Sequence, residues 1–428
     1  LGLSADRNLS QANDMTSMEK DFTDVHKLRL CLLMPLFYTA NNLHLQTQRL
    51  ADRGANVLVV ARKSPSHPQR SEAYGTVNIT RVAPCMSGRI ANYAMMLPAF
   101  VELLRRRHSY DLIWVVKFST LGIVGTLAAR ILGKGCVLEA ECNDEMSGEH
   151  FFHLNEWRLC HTRLFRSIFN AGMVVRNWLL RQADCFMAIS REIEREFLDS
   201  GVPKDRICYK PCGIDTDRFA PISGKQKQLL RQKLSLPTND LIICYCGRLV
   251  HNKGLECLLQ AWKDISHEHG DVHLLIVGSG NNWFGGIEDV LKAFVKSEGL
   301  TTTTTFTGYA DNVEEYLSAS DIFVYPSENE ALGVAIIEAM ACGLPVVASG
   351  VGGIRDLVVP GETGILTEPR RADHITEALR SVIVNPDRRR EMGVKGRHHA
   401  KAYFSIDRID SLNVQAFTAV YRSRALPS

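Results

Sequence analysis

The chain has no apolar run approaching the roughly 18 residues that cross a bilayer, and its start lacks the layout of a signal peptide. No membrane span is expected, and the reading is a cytoplasmic protein. Twelve cysteines include no Cys-x-x-Cys pair, and Cys31, Cys244 and Cys246 fall inside apolar, strand-like runs. Reduced, buried thiols are expected rather than a disulfide framework. His150, His153, Cys160 and His161 gather closely but match no zinc-ligand spacing. Charge of one sign is scarce too: the formal net charge is +3, and no Arg/Lys stripe is interleaved with aromatics. That excludes a dedicated nucleic-acid binder. Internal repeats are absent. Residues 1–26 lack hydrophobic periodicity and read as a disordered extension. The chain opens with Leu, so Met15 or Met18 is expected nearer the biological start.

What remains is an ordinary globular composition, 45% hydrophobic and 23% charged, over 428 residues. That length suits two cores better than one. Strand signals near residues 28–34, 56–60, 77–82, 111–116, 137–141 and 185–189 alternate with helical ones. A second alternating series runs from Leu241 past Leu366. Such alternation implies parallel sheets covered on both faces, so the expected class is α/β with two doubly wound, Rossmann-like units. Between the series, residues 215–240 are rich in Lys, Gln, Pro and Ser and read as a hinge.

The densest information lies between Tyr325 and Ala348. A buried strand is expected over 321–325, stopped by Pro326, followed by the polar loop 327–330 and an apolar helix over 333–342. Glu330 then stands before the helix and Glu338 within it, between Ile337 and Ala339. An ionised carboxylate there costs several kcal/mol, roughly, unless a polar partner meets it. A helix cap and an internal ion pair would explain one such residue. Two of them, at the carboxyl end of a parallel strand, suit a ligand rich in hydroxyls.

Upstream, Cys246-Gly-Arg-Leu-Val-His-Asn-Lys-Gly254 follows the strand expected over 241–245 and opens a helix. Arg248 and Lys253 are thereby displayed on a strand-to-helix turn, where backbone N–H groups, a guanidinium and an ammonium suit phosphate. Val277-Gly-Ser-Gly280 ends another strand, but the dinucleotide fingerprint fails because Trp283 stands at its third glycine. A dehydrogenase is disfavoured on that ground.

Together these stretches resemble glycosyltransferase family 4, retaining sugar transferases with the two-domain glycosyltransferase B fold. From Glu338 to Ala348 the family string Glu-Ala-Met-Ala-x-Gly-x-Pro-Val-Val-Ala is matched throughout. The preceding Gly-Phe-Gly is replaced by Ala331-Leu332-Gly333. The family's Gly-Arg with Lys-Gly five residues on is met by Gly247-Arg248 and Lys253-Gly254. The resemblance runs from Leu28 onward, strong after Gln182 and loose before Gly135.

The resemblance implies two Rossmann-like domains facing across a cleft: residues 27–218 for the acceptor and 219–403 for the nucleotide-sugar donor. Residues 404–428 would form a helix returning to the first. It assigns catalysis to Arg248, Lys253 and Glu330, and donor binding to Gly247, Gly278, Gly280, Gly308, Tyr309, Leu332, Gly333 and Glu338. Arg248 and Lys253 would meet the diphosphate, Glu330 the sugar hydroxyls and Glu338 the ribose. Tyr309 would line the base or pack as a core aromatic. Asn143 and Asp144, after a strand, and Asn41 and Asn42, where relatives carry Gly-Gly, are the acceptor candidates. For Asn143 and Asp144 a turn or cap role competes evenly. No cofactor and no metal are implied, the donor being a substrate.

The implied function is sugar transfer to a saccharide or lipid-linked acceptor in polysaccharide or glycoconjugate synthesis. Alternatives are a nucleotide-sugar epimerase or phosphorylase of the same fold, or a catalytically silent nucleotide-sugar-binding protein. Two segments, 90–108 and the Arg-rich 151–181, have the composition of faces that dock at a membrane. Core-packing helices look alike in sequence, and core packing is the preferred reading.

Overall fold

A computed structural model describes residues 22–37, 42–86, 88–148, 163–280 and 285–425. The chain divides into two compact units, one of residues 1–211 with 409–428 and one of 212–408.

The first unit is built on eight strands: β1 (Arg29–Leu33), β2 (Asn56–Arg62), β3 (Ser71–Tyr74), β4 (Val77–Val82), β5 (Leu112–Val116), β6 (Gly135–Glu139), β7 (Cys185–Ala188) and β8 (Ile207–Tyr209). Their order is β3-β4-β2-β1-β5-β6-β7-β8, parallel throughout except for β3 against β4. Strands covered on both faces can be apolar at every position. In Leu-Ile-Trp-Val-Val of β5 all five residues are buried. β3 is the exception. Its Ser-Glu-Ala-Tyr is mostly exposed at the sheet's edge, which is why no strand is expected there from the sequence.

The first unit is completed from far along the chain. The helix Ile406–Ala425 brings Val414, Phe417 and Val420 into the core with Leu30, Leu32, Val57 and Trp114. Phe417 meets Trp114 at 5.1 Å between ring centres. Asp410, fully buried, accepts from Arg49 Nε at 2.5 Å, and Arg53 lies 3.6 Å away. Beside them Asn413 donates to Gln46, and Lys210 pairs with Glu139 at 2.5 Å.

The second unit holds six strands, all parallel: β9 (Leu241–Cys246), β10 (Val272–Val277), β11 (Thr304–Gly308), β12 (Ile322–Tyr325), β13 (Val346–Ser349) and β14 (Gly364–Thr367). Their order is β11-β10-β9-β12-β13-β14. In each sheet the order reverses beside the first strand, between β1 and β5 and between β9 and β12. Ligands of open α/β sheets bind outside the carboxyl ends of the strands at such a reversal.

Two readings of the sequence need correction. The segment 215–240, read as a hinge, lies inside the second unit, and its middle is the helix Gly224–Lys233. Ser223 and Gln226 close that helix with reciprocal capping bonds. Its Arg231 is buried, donating to Ala319 O at 2.8 Å and to Asp321 Oδ2 at 2.5 Å, which ties the helix to the base of β12. The extension of residues 1–26 is also too long as drawn. Residues 1–21 lie outside the described residues, whereas Phe22–Lys27 makes a 3-10 turn with Val25 buried in the first core.

Candidate functional site

The carboxyl end of β9 turns sharply at Gly247. Gly278, after β10, packs on this turn with φ 138°, so closely that a Cβ would sit 1.9 Å from Gly247 O. A Cβ on Gly280 would lie 2.4 Å from Leu249 O. Backbone bonds lace the three loops together: Gly247 N to Val277 O, Leu249 N to Ser279 O and Gly278 N to Gly308 O. Gly247, Gly278, Gly280 and Gly308 are thereby gathered at one edge, and at Gly278 and Gly280 any side chain would strike backbone.

Glu288 locks this edge. Its Oε2 accepts from Gly280 N and from Ser279 Oγ, each at 2.8 Å, while Lys292 Nζ meets Oε1 at 2.7 Å. Burial works against the charged carboxylate, but these donors outweigh it and hold its pKa down at about 2. The sequence reading missed Glu288. Its position in the first turn of the helix Glu288–Ser297 is the signal that was available.

Lys253 ends a 3-10 turn after β9 and is only 5% exposed. Gly254 follows it in the left-handed region (φ 67°), where a Cβ would strike Pro326 O at 2.0 Å. This close approach brings Lys253 to the loop after β12. Its ammonium donates to Glu330 Oε2 and lies 3.3 Å from Tyr325 Oη. Tyr325 donates to the same carboxylate oxygen at 2.9 Å, and Ser327 Oγ stands at 3.4 Å. Tyr245 stacks on Tyr325 at 5.7 Å and donates to Arg248 O at 3.0 Å. Burial lifts the Tyr245 phenol well above its ordinary range. Glu330 adds to the lift and Arg248 opposes it, so both charges reach one hydroxyl. Arg248 itself is exposed. The two tyrosines, legible in the sequence only as strand residues, are the platform on which the charged groups meet.

Glu338 lies on the helix Val334–Ala341. Burial raises its carboxyl to about 7, with Arg218 opposing and Glu314 reinforcing, and its charge is felt at Cys246, the last residue of β9. Gly333 precedes that helix at φ 97°, and Leu332 is buried. Gly353 donates to Glu330 O at 3.1 Å and sits where a Cβ would be 2.3 Å from Ala331 O, fixing the loop from behind. Tyr309 is 74% exposed, its hydroxyl engaged by Asp311. It is not the core aromatic that one reading of the sequence allowed.

In the first unit, β6 ends at Glu139, two residues earlier than expected, and residues 141–148 form a turn. Asp144 has φ 65°, and its N–H donates to Glu196 Oε2 at 2.9 Å. Glu196 also accepts from Met146 and Ser147. Glu145 accepts from Ser119 N and Glu141 N, each at 3.0 Å, and burial lifts its carboxyl to about 7. Asn143 lies in the same turn, half-buried. A small cavity at these strand ends is lined by Pro35, Asn92, Lys117, Ser119, Cys142 and Glu145. Asn41 lies outside the described residues, and of Asn42 only its place at the head of the helix Asn42–Asp52 is described. His150, His153, Cys160 and His161 also lie outside them. Asp215-Thr-Asp217 has the Asp-x-Asp spacing of some metal sites, but Asp215 Oδ1 caps a turn through the N–H groups of Asp217 and Arg218.

Comparison with known proteins divides the chain as the sheets do. A model described as glycosyl transferase 4-like domain matches residues 40–213, and one described as glycosyl transferases group 1 matches residues 226–399. The GDP-mannose-dependent monoacylated alpha-(1-6)-phosphatidylinositol monomannoside mannosyltransferase of Corynebacterium glutamicum is 32% identical over 234 residues, 52% of this chain and 59% of that protein. The alpha-maltose-1-phosphate synthase of Mycolicibacterium smegmatis is 28% identical over 350 residues, 78% of this chain and 85% of that protein. The match thus spans less than two thirds of the mannosyltransferase's own length. Among solved structures, sucrose-phosphate synthase from Thermosynechococcus elongatus superposes with a TM-score of 0.75 at 24% identity, over 92% of this chain and all of that one. HepE from Anabaena, in complex with UDP and glucose, gives 0.71 at 21%, again over 92% and 100%.

Proposed function

The chain belongs to the family 4-like glycosyltransferases with the glycosyltransferase B fold, and from that premise we propose that it transfers a hexose from a nucleoside diphosphate sugar. The acceptor is a saccharide or a lipid-linked molecule, the anomeric configuration is retained, and the product enters cell-surface polysaccharide or glycoconjugate synthesis.

The observation that carries this reading is the buried pair Lys253–Glu330 on its tyrosine platform, beside the glycine loops at the carboxyl edge of β9 and β12. Removing both charges from water is expensive, and such pairs seldom raise stability. A ligand that needs both signs at once gives the pair a purpose. Departure of a nucleoside diphosphate leaves negative charge on its phosphates. Lys253 and the exposed Arg248 stabilise that charge as it develops, a contribution of several kcal/mol, roughly. Amides at the head of the helix Val334–Ala341, including those of Leu332 and Gly333, add partial positive charge. Gly247, Gly278, Gly280 and Gly308 let the nucleotide approach the backbone. Tyr309 offers an exposed ring for the base. Glu330 receives sugar hydroxyls and Glu338 the ribose. The chemistry so described uses the chain's own residues, with no cofactor or metal. Asn143, Asp144 and the head of the helix at Asn42 are assigned to the acceptor.

The test is a thermal-shift panel of nucleoside diphosphates and their sugars, followed by a transfer assay with the sugars that bind. The named relatives include a GDP-mannose-dependent enzyme and a UDP-bound one, so both bases belong in the panel. A ligand bound only by the native state raises the melting temperature, and that rise should vanish in Lys253→Ala. If no nucleoside diphosphate or nucleotide sugar raises it, the reading fails. An epimerised nucleotide sugar formed without an acceptor would instead indicate the epimerase.

A further inference from the structure

The first unit carries a surface that the transfer reaction leaves unused, and its argument is independent of that reaction. In the helices Arg89–Ala94 and Met96–Arg105 and at Met95 between them, Ala91, Met95, Ala99 and Leu103 are fully buried. The opposite stripe, Ile90, Tyr93, Leu97 and Val101, is exposed, Ile90 by 76% and Leu97 by 71%. The core needs only one of these two apolar faces. The stripe does not stand alone. The helix Met96–Arg105 packs against Phe118–Leu132, which packs against Arg163–Leu180. Phe118–Leu132 turns Leu127 and Ile131 to solvent. Arg163–Leu180 exposes Val174, Val175 and Trp178. Nine of the eighteen exposed large hydrophobics among the described residues therefore fall on four neighbouring helices of one unit. Scattered singly they would mean little, but gathered they mark a contact face. Core packing, the reading preferred from the sequence, accounts for the buried faces of these helices but not for the exposed apolar residues.

The charges say what the face meets. The four helices contain a single acidic residue, Glu102, which is buried and held by Arg106 at 3.1 Å. Arg105, Arg107, His108 and Arg130, on these helices or just after them, are exposed. A groove of about 480 Å³ opens beside the stripe, lined by Leu97, Pro98 and Val101 together with Lys63, Arg70, Arg81 and Arg105, and by Glu102, which Arg106 at 3.1 Å and Arg70 at 3.9 Å offset. Apolar side chains next to exposed cations fit an acyl boundary under a phosphate-bearing headgroup. A second copy of the chain does not fit, because two such faces brought together would set arginine against arginine, and the one acid, Glu102, is already held by Arg106 and Arg70. No helix among the described residues is long and apolar enough to cross a membrane, so the contact is peripheral.

We propose that this four-helix face docks on an anionic phospholipid surface, with headgroups taken into the groove between Leu97 and Arg70. The test is flotation of the full chain with phosphatidylcholine vesicles, with and without about 30 mol% phosphatidylglycerol, at low and at physiological salt. Flotation is expected with the anionic vesicles only. Leu97→Glu with Trp178→Glu should lower the floated fraction at least about tenfold, and Arg70→Glu with Arg105→Glu should lower it and remove its salt dependence. Unchanged circular dichroism and melting temperature certify that these surface variants fold. Acyl-brominated lipids should quench the tryptophan fluorescence of the unaltered protein, a readout that needs no variant. Failure to float at low salt, equal flotation of the Glu variants, or a concentration-dependent dimer abolished by Leu97→Glu would each overturn the proposal.

Discussion

Both sheets set a lysine and a glutamate together at their carboxyl edge, close to where the strand order reverses. In the first unit Lys117, after β5, meets Glu141, after β6, at 3.0 Å, with half of the lysine side chain in water. In the second unit Lys253, after β9, meets Glu330, after β12, with only 7% of the lysine side chain exposed. The chemistry of the two pairs is alike, but their surroundings are not. An exposed pair contributes about 0–1 kcal/mol. Breaking a buried one costs about 3–5 kcal/mol, because the partner is left charged and dry. The second unit alone wraps its pair in tyrosines and closes it off with glycine turns. The comparison teaches that burial, and not the pairing itself, separates a candidate reaction centre from a surface contact.

The comparison can be broken first at the lysines. Lys253→Ala should lower kcat/KM at least about a thousandfold, the loss of roughly 4 kcal/mol of transition-state stabilisation. Lys117→Ala should change unfolding free energy by under about 1 kcal/mol. If both variants unfold alike in urea and transfer sugar alike, the contrast is gone. Next come the glycines. Gly278→Ala must displace the backbone of Gly247, adding a clash to the strain of its positive φ, and should cost about 1–3 kcal/mol and weaken donor binding. Gly133→Ala, at φ 66° in the first unit with open space around it, should cost only about 1 kcal/mol and leave donor affinity unchanged.

Glu288→Ala should follow, destabilising by about 1–3 kcal/mol because the Gly280 amide loses its acceptor. Its carboxyl is depressed from an ordinary 4.5 to about 2. The stability it contributes is therefore full above pH 4.5 and lost as pH falls toward 2. Acid unfolding of the variant should show a correspondingly weaker pH dependence in that window. The smallest effect belongs to the two carboxyls lifted to about 7, Glu145 in the first unit and Glu338 in the second. A raised carboxyl binds its proton more tightly in the folded state, so stability declines as pH rises from about 4.5 to 7. Glu145→Gln and Glu338→Gln should each flatten that decline. Only Glu338→Gln should also change how nucleotide affinity varies between pH 6 and 8, as followed by calorimetry.

How much was legible differs between the units for a physical reason. In the second, the groups that meet lie in three short stretches at strand ends, and the chain's own covalent geometry brings each to the edge. Arg248, Lys253, Glu330 and Glu338 were singled out from those stretches, and of these Lys253 and Glu330 are the two that meet. Tyr245 and Tyr325 were not, because a strand tyrosine looks like core until its hydroxyl is located. Glu288 was hidden because its partners are loop amides rather than side chains. In the first unit the turn at 141–148 is held by Glu196, some fifty residues away, and no local pattern reports such a tie. The doubly wound alternation was plain in both units, since buried parallel strands are apolar runs. The edge strand β3 and the capped helix Gly224–Lys233 were passed over because neither presents the apolar period that marks buried elements.

The helix Ile406–Ala425 gives the first unit an order of birth. Its Asp410, Asn413 and Phe417 supply partners to Arg49, Gln46 and Trp114, yet all three are translated after residues 212–408. On the ribosome the second unit has its whole sequence available while the first still lacks a wall. Truncation before residue 409 would leave the second unit's sheet complete and the first one open, its apolar strands exposed to chaperones and proteases.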